Sequence, residues 1–412
     1  MPAAPAVTAI TGGHVLDVRA GEFHRRDVAI EGERIVGLPL PGSLAAARPV
    51  FDATGMFLLP GLIDCHVHLV MRGEDVDPSA SAGRSDDEIA AAAAEAAERT
   101  LLGGVTTVRD LGGWNHVEMS LRDDIEAGVR PGPRLILAGR LLSRPTPAVR
   151  YYPGMYQVVT GADQVRDAAR AELERGARVI KVMATGAMLS PEEEDAGDMQ
   201  LGREEIRAAV ETAAQAGAHV AAHAHAREGI RQAVEAGVGS IEHGTYADEQ
   251  ICRRMADRDV FLVPTLSASS AMLADERAAR EIPAHLRRRL VESQDVHVAA
   301  VRMAHRSGVP IAMGTDAGTP GNHHGRNAQE CIEMVKAAGM DPLDSVRSAT
   351  VLAARLLRRE ADIGSLEPGR FADMIGLHAN PLADIRALAR VSLVMKGGLV
   401  YRGPPSLTER TR

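Results

Sequence analysis

The chain has 412 residues, of which 45% are apolar and 25% charged, and its formal net charge is −8 at pH 7. These values are typical of a globular protein long enough for one large domain plus a small one. The acidic balance argues against nucleic acid or an anionic membrane as a partner, and aromatic residues, at 3%, are too scarce to predict base stacking. We therefore expect neither partner.

The cysteines and the N-terminus bear on the compartment. Cys65, Cys252 and Cys331 lie far apart and form no CxxC pair, so we expect reduced thiols rather than a disulfide framework. The opening "MPAAPAVTAITGG" lacks the basic segment and apolar run of a secretion signal, and no apolar run in the sequence is long enough to span a membrane. These features predict a cytoplasmic protein.

Both ends of the chain have the pattern of short β-strands separated by glycine-containing turns. Residues 7–18 and 27–38 have this pattern near the start, and 371–382 and 391–403 have it near the end. We interpret residues 1–57 and 371–412 as one small β module built from both termini. Two unrelated β appendages are the alternative.

Between these ends, short apolar runs alternate with alanine-rich amphipathic stretches such as 85–104, 162–177 and 202–218. The eight apolar runs are residues 57–69, 104–113, 133–143, 177–186, 219–225, 240–245, 261–267 and 309–318. Eight strand–helix units predict an α/β fold in which residues 58–370 form a (β/α)8 TIM-like barrel. An open doubly wound sheet is the alternative, but the glycine-rich phosphate turn that it needs near its first strand is absent from the sequence.

The first strand of this barrel ends in "GLIDCHVHLV", in which one residue separates His66 from His68. Alternate side chains of a strand point the same way, so the two imidazoles face one side and can chelate a divalent metal. Two histidines satisfied by hydrogen bonds in the core are the alternative.

Further polar residues fall at the ends of the other predicted strands. The carboxyl ends of barrel strands meet at one face, where such residues converge. They are Arg109, Asp110, Lys181, His223, His225, His243 and Asp316. Most of them ligate metals or transfer protons, which predicts a metal site. The alternatives are a helix cap for Asp316 and a solvent-directed side chain for Lys181.

At this point the pattern resembles the amidohydrolase superfamily over essentially the whole chain. It looks most like the subgroup of cytosolic prolidases, zinc carboxypeptidases and ochratoxin-type amidases, which is related to imidazolonepropionase. The stretches that carry the likeness are "IKVMATGA", "HAHAREGI", "AGVGSIEHGT", "GTDAG" and "IGSLEPGRFADMIGL". The resemblance implies a metal-dependent barrel with a small β-sandwich module from both termini.

The resemblance also implies two divalent metal ions, expected to be Zn²⁺, and a set of ligands. His66, His68 and Asp316 would hold the first ion, carbamylated Lys181 would bridge both, and His223 and His243 would hold the second. His223 is preferred over His225 because the family uses the first histidine of the HAH pattern. His225 would then contact substrate.

The implied reaction is hydrolysis of an amide or peptide-like C–N bond in a small molecule. A metal-bound hydroxide would attack, with Asp316 as general acid and base. We expect a carboxylate beside the scissile bond, as in dipeptides and N-acyl amino acids. One alternative is a cyclic-amide hydrolase or deaminase that resembles imidazolonepropionase and holds one metal. Another is a non-catalytic barrel scaffold, which typically loses ligands.

Substrate contacts are expected in three loops. Tyr152 lies in "YYPGMYQ" after the third strand, and His324 and Arg326 lie in 319–330 after the eighth, where a cation would bind a substrate carboxylate. The acidic stretch 188–202 is either a lid or a solvated loop. Members of this family often associate, so a homo-oligomer stays open.

Overall fold

The computed structural model describes residues 8–44, 47 and 50–403. The N-terminal strands are β1 (Ala9–Asp17), β2 (Glu22–Glu31), β3 (Arg34–Gly37), β4 (Val50–Asp52) and β5 (Phe57–Pro60). The central strands are β6 (Leu62–Val67), β7 (Val105–Asp110), β8 (Arg134–Leu137), β9 (Leu141–Ser143), β10 (Tyr156–Val158), β11 (Val179–Met183), β12 (His219–Ala224), β13 (Ser240–His243) and β14 (Phe261–Val263). The C-terminal strands are β15 (Met374–Leu377), β16 (Leu393–Lys396) and β17 (Leu399–Arg402).

The helices lie between the central strands and after the last of them. They are α1 (Asp86–Leu102), α2 (Val117–Glu126), α3 (Gly161–Glu174), α4 (Arg203–Gln215), α5 (Arg227–Ala236), α6 (Glu249–Asp257), α7 (Leu266–Ala274), α8 (Glu276–Glu281), α9 (Ala284–Arg306), α10 (Gln329–Lys336), α11 (Pro342–Ser348) and α12 (Val351–Leu356). Local sequence explains their ends: Ser85 and Glu88 form a capping box that starts α1, and Gly237 ends α5 in the left-handed conformation. We find no helix among the described residues with the length and apolarity that crossing a bilayer requires.

One sheet joins the two ends of the chain. Its strand order is β17-β16-β15-β5-β1-β2-β3, with β4 paired to β1. β15 pairs antiparallel with β5, and Met374 lies opposite Pro60 in this register. The sheet thus includes 57–60, which the sequence analysis assigned to the first barrel strand, and the barrel strand β6 begins after Gly61.

The central strands form two parallel sheets, β6-β7-β8 and β10-β9-β11-β12-β13-β14. The eighth predicted run forms single bridges rather than a named strand. Within it, Ile311 pairs with Leu262 on one side and Ala317 pairs with Val67 of β6 on the other. The two parallel sheets are also linked between β8 and β11, where the amide of Arg178 donates to the carbonyl of Leu137 at 2.9 Å. The predicted α/β class with parallel central strands is confirmed, and the carboxyl ends of these strands point toward one face.

The change from the terminal sheet to the parallel sheets takes place at Gly61. A Cβ at this position would lie 2.2 Å from the hydroxyl and 2.5 Å from the methyl group of Thr106, whose side chain is buried. Only glycine, which has no Cβ, leaves room here for the side chain of Thr106. Gly61 therefore fixes how β5 continues into β6.

We predict that Gly61→Ala lowers the free energy of unfolding by about 1–3 kcal/mol, since the added methyl group overpacks a closed site. The measurement is urea denaturation followed by circular dichroism. The matched control is Gly83→Ala, where an added Cβ meets nothing within 4 Å and no change beyond about 0.5 kcal/mol is expected. Equal stability of the two variants would contradict the close approach.

Candidate metal centre

The carboxyl ends of β6, β11, β12 and β13 surround one cavity. It is lined by all six predicted metal ligands and by the predicted substrate contacts His225 and Tyr152. The polar lining residues at its base are His66, His68, Lys181, His223, His225, His243 and Asp316. The strand ends bring these groups together because parallel strands expose their last residues at the same edge.

The first cluster of ligand types contains His66, His68 and Asp316. The Nε2 atoms of the two histidines lie 3.5 and 3.3 Å from Oδ1 of Asp316. One donor atom from each residue lies within 4.8 Å of the others. Imidazole nitrogen and carboxylate oxygen are the donors that zinc and similar divalent ions accept.

The second cluster contains His223, His225 and His243, again with donor atoms within 4.8 Å of one another. Nδ1 of His223 and Nε2 of His243 point at each other across 3.0 Å. His225 stacks on His243 with ring centroids 4.6 Å apart, while its own Nδ1 lies 2.8 Å from the hydroxyl of Thr245. The cluster thus keeps His223, near the end of β12, and His225, just after it, close to His243.

Acceptor groups fix the protons of three histidines. His66 Nδ1 lies 2.9 Å from the Glu242 carboxylate, His68 Nδ1 lies 3.4 Å from the carbonyl of Gly112, and His223 Nε2 lies 3.1 Å from the carbonyl of Gly186. Carbonyl and carboxylate oxygens only accept, so each of these ring nitrogens carries the hydrogen. The other nitrogen of each ring therefore presents its lone pair to the cavity.

Electrostatics keep the site in a form that binds cations. Burial, reinforced by Lys181, lowers the pKa of His66 and of His223, and burial together with the neighbouring histidines lowers the pKa of His243. Burial alone would raise the pKa of Asp316, but the adjacent histidines and Lys181 outweigh it and lower the pKa below its ordinary value. Neutral imidazoles and an ionised carboxylate are the forms in which these groups ligate metals.

Lys181 carries a buried amine that forms no hydrogen bond within the described part of the chain. Its side chain is 2% exposed, and its Nζ has no hydrogen-bond partner there. Burial lowers the pKa of its ammonium group to about 8, although Glu242 and Asp316 act in the opposite direction. Among the described residues, the amine of Lys181 thus lies without a hydrogen-bond partner in a cavity that also holds two clusters of metal-ligand side chains. These donor groups fit the divalent metals that the resemblance implies.

A buried ion pair that the sequence analysis missed supports His66. Arg109 donates to Glu242 at 2.9 Å and both side chains are 0% exposed, while Oε2 of the same carboxylate accepts from His66. The sequence analysis noted Arg109 at a strand end without assigning it a partner. An arginine in the apolar run "GVTTVRDLGG" needs a buried acid, which is a signal for a buried ion pair, but the sequence does not single out Glu242 as the partner.

The two other predicted substrate contacts lie outside this cavity. His324 is buried, with Nε2 3.1 Å from the carbonyl of Met71 and Nδ1 3.5 Å from the hydroxyl of Thr100. Arg326 is exposed and lines a separate cavity beside α8 and α10. The loop 319–328 thus borders the cavity at Thr319, but it places the side chains of His324 and Arg326 elsewhere.

The acidic stretch after β11 forms a cover over the cavity with some of its residues, while Glu192, Glu193, Asp195 and Asp198 are exposed. Met188 and Leu189 line the cavity. Arg289 of α9 donates to the carbonyls of Ser190, at 3.1 Å, and Glu194. The Glu194 side chain is itself buried and accepts from Thr146 and the amide of Ala148. These contacts tie the cover to α9 and to the loop before Tyr152.

The amidohydrolase family model matches residues 57–400. The chain belongs to the amidohydrolase family. Over 379 residues this amidohydrolase is 33% identical to ochratoxinase from Aspergillus niger, an alignment that covers 84% of this chain and 76% of that protein. The family as a whole generally uses divalent metals, in agreement with the two ligand clusters.

Solved structures give the same result. The amidohydrolase is similar to a prolidase complexed with N-methylphosphonate-L-proline, with a TM-score of 0.87 and 31% identity over 96% of this chain and 99% of that chain. It is also similar to a Xaa-Pro dipeptidase with bound methionine in the active site, with a TM-score of 0.86 and 32% identity over 96% and 99% of the two chains. These relatives confirm the predicted subgroup and imply a TIM-like barrel with a β-sandwich domain. They support metal-dependent hydrolysis of amide or peptide-like C–N bonds, which confirms the predicted reaction class.

We predict that Glu242→Gln weakens zinc binding about 10- to 100-fold, because the acceptor that fixes the proton of His66 is weakened. The same change lowers the free energy of unfolding by about 3 kcal/mol, since Arg109 keeps a buried charge without its counterion. Zinc affinity is measured by competition with a chromophoric chelator, and stability by urea denaturation.

Glu172→Gln is the matched control for this prediction. Glu172 is also buried and accepts from a histidine, with His116 Nε2 at 2.8 Å, but it does not line the cavity. Its substitution leaves zinc affinity unchanged. Wild-type zinc affinity in Glu242→Gln would rule out the positioning of His66 by this carboxylate.

Proposed function

We propose that this amidohydrolase binds two divalent metal ions, of the zinc type, and hydrolyses an amide or peptide-like bond in a small molecule. His66, His68 and Asp316 hold the first ion, and His223 and His243 hold the second. Lys181, as a carbamate, would supply ligand oxygens to both. The observation that carries the proposal is the buried, unpartnered amine of Lys181 in a cavity with two ligand clusters.

Carbamylation would replace the unfavourable buried positive charge of Lys181 with a negative one. An ammonium group between two cations would be repelled and poorly solvated, whereas a carbamate is anionic and offers two ligand oxygens. The reaction needs the neutral amine, which attacks CO2 to form a C–N bond and releases one proton. With a pKa of about 8, on the order of a tenth of the side chains are neutral at pH 7.

In the proposed reaction, the bound metal ions and Asp316 have different roles. Bound divalent ions supply Lewis acidity and lower the pKa of water. Asp316, whose Oδ1 lies beside two imidazoles, takes the proton of the attacking water and returns it to the leaving nitrogen. Its lowered pKa keeps it ionised before attack, as a base must be. The tetrahedral carbon then loses the amine, so that one water is consumed for each C–N bond broken.

The substrate has an apolar flank beside the scissile bond. Five methionines face the cavity, namely Met71, Met155, Met183, Met188 and Met272. No arginine lines the cavity in the described ranges. Among the polar side chains that line the cavity, which also include serine and threonine hydroxyls, Tyr152 and His225 are the proposed contacts of the predicted carboxylate. Within the residues described, the hydroxyl of Tyr152 is buried without a hydrogen-bond partner, and burial raises its pKa, so it stays a donor.

Two further parts of the proposal concern architecture and the alternative reaction. In the proposed architecture, the parallel strands close into an eight-stranded barrel through the run 309–318. We also propose a cytoplasmic location.

The single-metal alternative, a cyclic-amide hydrolase or deaminase, leaves the second cluster without a ligand role. The orphaned Lys181 and the His223–His243 pair therefore favour two metals. A non-catalytic scaffold has no need of these groups.

We predict that Asp316→Asn keeps the fold and most of the metal but lowers kcat about 10²- to 10⁴-fold. The reason is that the asparagine side chain is not basic enough to accept the proton of the attacking water. The assay is hydrolysis of a panel of dipeptides and N-acyl amino acids. Asp248→Asn is the control, since Asp248 caps α6 outside the cavity and asparagine caps equally well. A fully active Asp316→Asn enzyme would show that the general-base assignment is wrong.

We predict close to two metals per wild-type chain by elemental analysis of protein purified without chelators and with bicarbonate. Lys181→Ala lowers both metal content and activity, and small carboxylic acids restore part of each by replacing the carbamate. Intact mass in bicarbonate tests for the added CO2. Close to one metal per wild-type chain would favour the single-metal reaction. Full metal loading of Lys181→Ala would instead show that Lys181 is not a metal ligand.

A further inference from the structure

Thr265 has a backbone conformation that disfavours threonine. Its φ and ψ are 54° and 37°, in the left-handed region, where the branches on Cβ collide with the backbone. The other described non-glycine residues with positive φ are Asn115, His116, His243, Asp259, Asp316 and Arg358. None of these is β-branched. Something other than local preference therefore keeps a threonine at this position.

The hydroxyl of Thr265 does not make the capping hydrogen bond that a threonine directly before a helix commonly makes. Thr265 is the residue before α7, and its side chain makes no capping bond to the helix. The first amides of the helix are bonded instead by Glu330 from α10, which accepts from Leu266 at 2.9 Å and from Ser267 at 2.6 Å. A buried carboxylate thus takes the capping role and leaves the hydroxyl for another partner.

That partner is His243. Oγ1 of Thr265 lies 2.7 Å from Nδ1 of His243. When the hydroxyl accepts from Nδ1–H, the lone pair of Nε2 points toward Nδ1 of His223, 3.0 Å away. The backbone of His243 is held as well, since its carbonyl accepts from Nε2 of His297 at 3.0 Å. The His243 backbone and the Nδ1 atom of its ring are therefore held by different residues, and Thr265 is the hydrogen-bond partner of Nδ1.

From this geometry we infer that Thr265 is a positioning residue whose hydroxyl orients the imidazole of His243 for metal binding, and that its strained backbone is retained for this contact. The inference rests on the proposed role of His243 as a metal ligand. His66, His68 and His223 are oriented by acceptors that cannot donate, so the site has one ligand whose proton position depends on a hydroxyl.

Three substitutions at Thr265 separate positioning from a structural role. Thr265→Val keeps the shape but removes the acceptor, and the affinity of the full-length protein for Zn²⁺ falls about 10- to 100-fold. Thr265→Ser restores the affinity. Thr265→Gly removes both the hydroxyl and the strain, so zinc affinity falls while the thermal midpoint of the metal-free protein stays at or above the wild-type value. A residue that only supports the fold would lower that midpoint.

Thr245→Val is the matched control. It removes the hydroxyl 2.8 Å from Nδ1 of His225, which is not a proposed ligand, and leaves zinc affinity unchanged. If Thr265→Val and Thr265→Gly bind zinc as the wild type does while His243→Ala does not, the positioning role is wrong and the proposed metal site stands. If His243→Ala itself binds zinc normally, the proposed ligand set fails first. Loss of zinc in Thr245→Val but not in Thr265→Val would assign the site to His225 and overturn the inference. Should Thr265→Val fail to fold, the glycine and serine variants decide.

Discussion

The site depends above all on the buried ion pair between Arg109 and Glu242. Arg109 lies on β7 and Glu242 on β13, so the pair joins the two parallel sheets through their common interior. Each charge depends on the other, because removing one partner of a buried ion pair leaves an uncompensated charge and costs about 3–5 kcal/mol. The same carboxylate accepts from His66. Alignment of the sheets and the orientation of a proposed metal ligand therefore follow from one contact.

The arrangement of the other ligands follows a common rule. Each imidazole binds a fixed acceptor through one nitrogen and presents the other to the cavity: Glu242 serves His66, the carbonyl of Gly186 serves His223, and the Thr265 hydroxyl serves His243. Such partners raise the basicity of the ring and limit its rotation. A preorganised set of lone pairs loses little conformational entropy when a cation arrives.

Sequence reasoning predicted the base of the site because periodicity there is strict. A strand with His66 and His68 two residues apart can only present both to one side, and parallel strands bring Lys181, His223 and His243 to the same edge. The partners Glu242 and Thr265 were missed because their roles depend on side-chain contacts with residues far away in the sequence, which no periodicity predicts. His324 and Arg326 lie outside the cavity, a position that sequence could not predict because no periodicity sets the direction of a loop. The division at Gly61 was hidden inside a continuous apolar run, and only the pairing of β5 with β15 reveals it.

The pairing of Pro60 with Met374 has a consequence for how the chain is made. During synthesis the N-terminal strands emerge from the ribosome long before β15, β16 and β17 exist, and β5 keeps an open edge throughout that interval. Contacts so far apart in sequence form slowly. The terminal sheet is therefore completed last, after the parallel strands have been translated, and a nascent chain that stalls before residue 374 exposes a strand edge that chaperones would recognise.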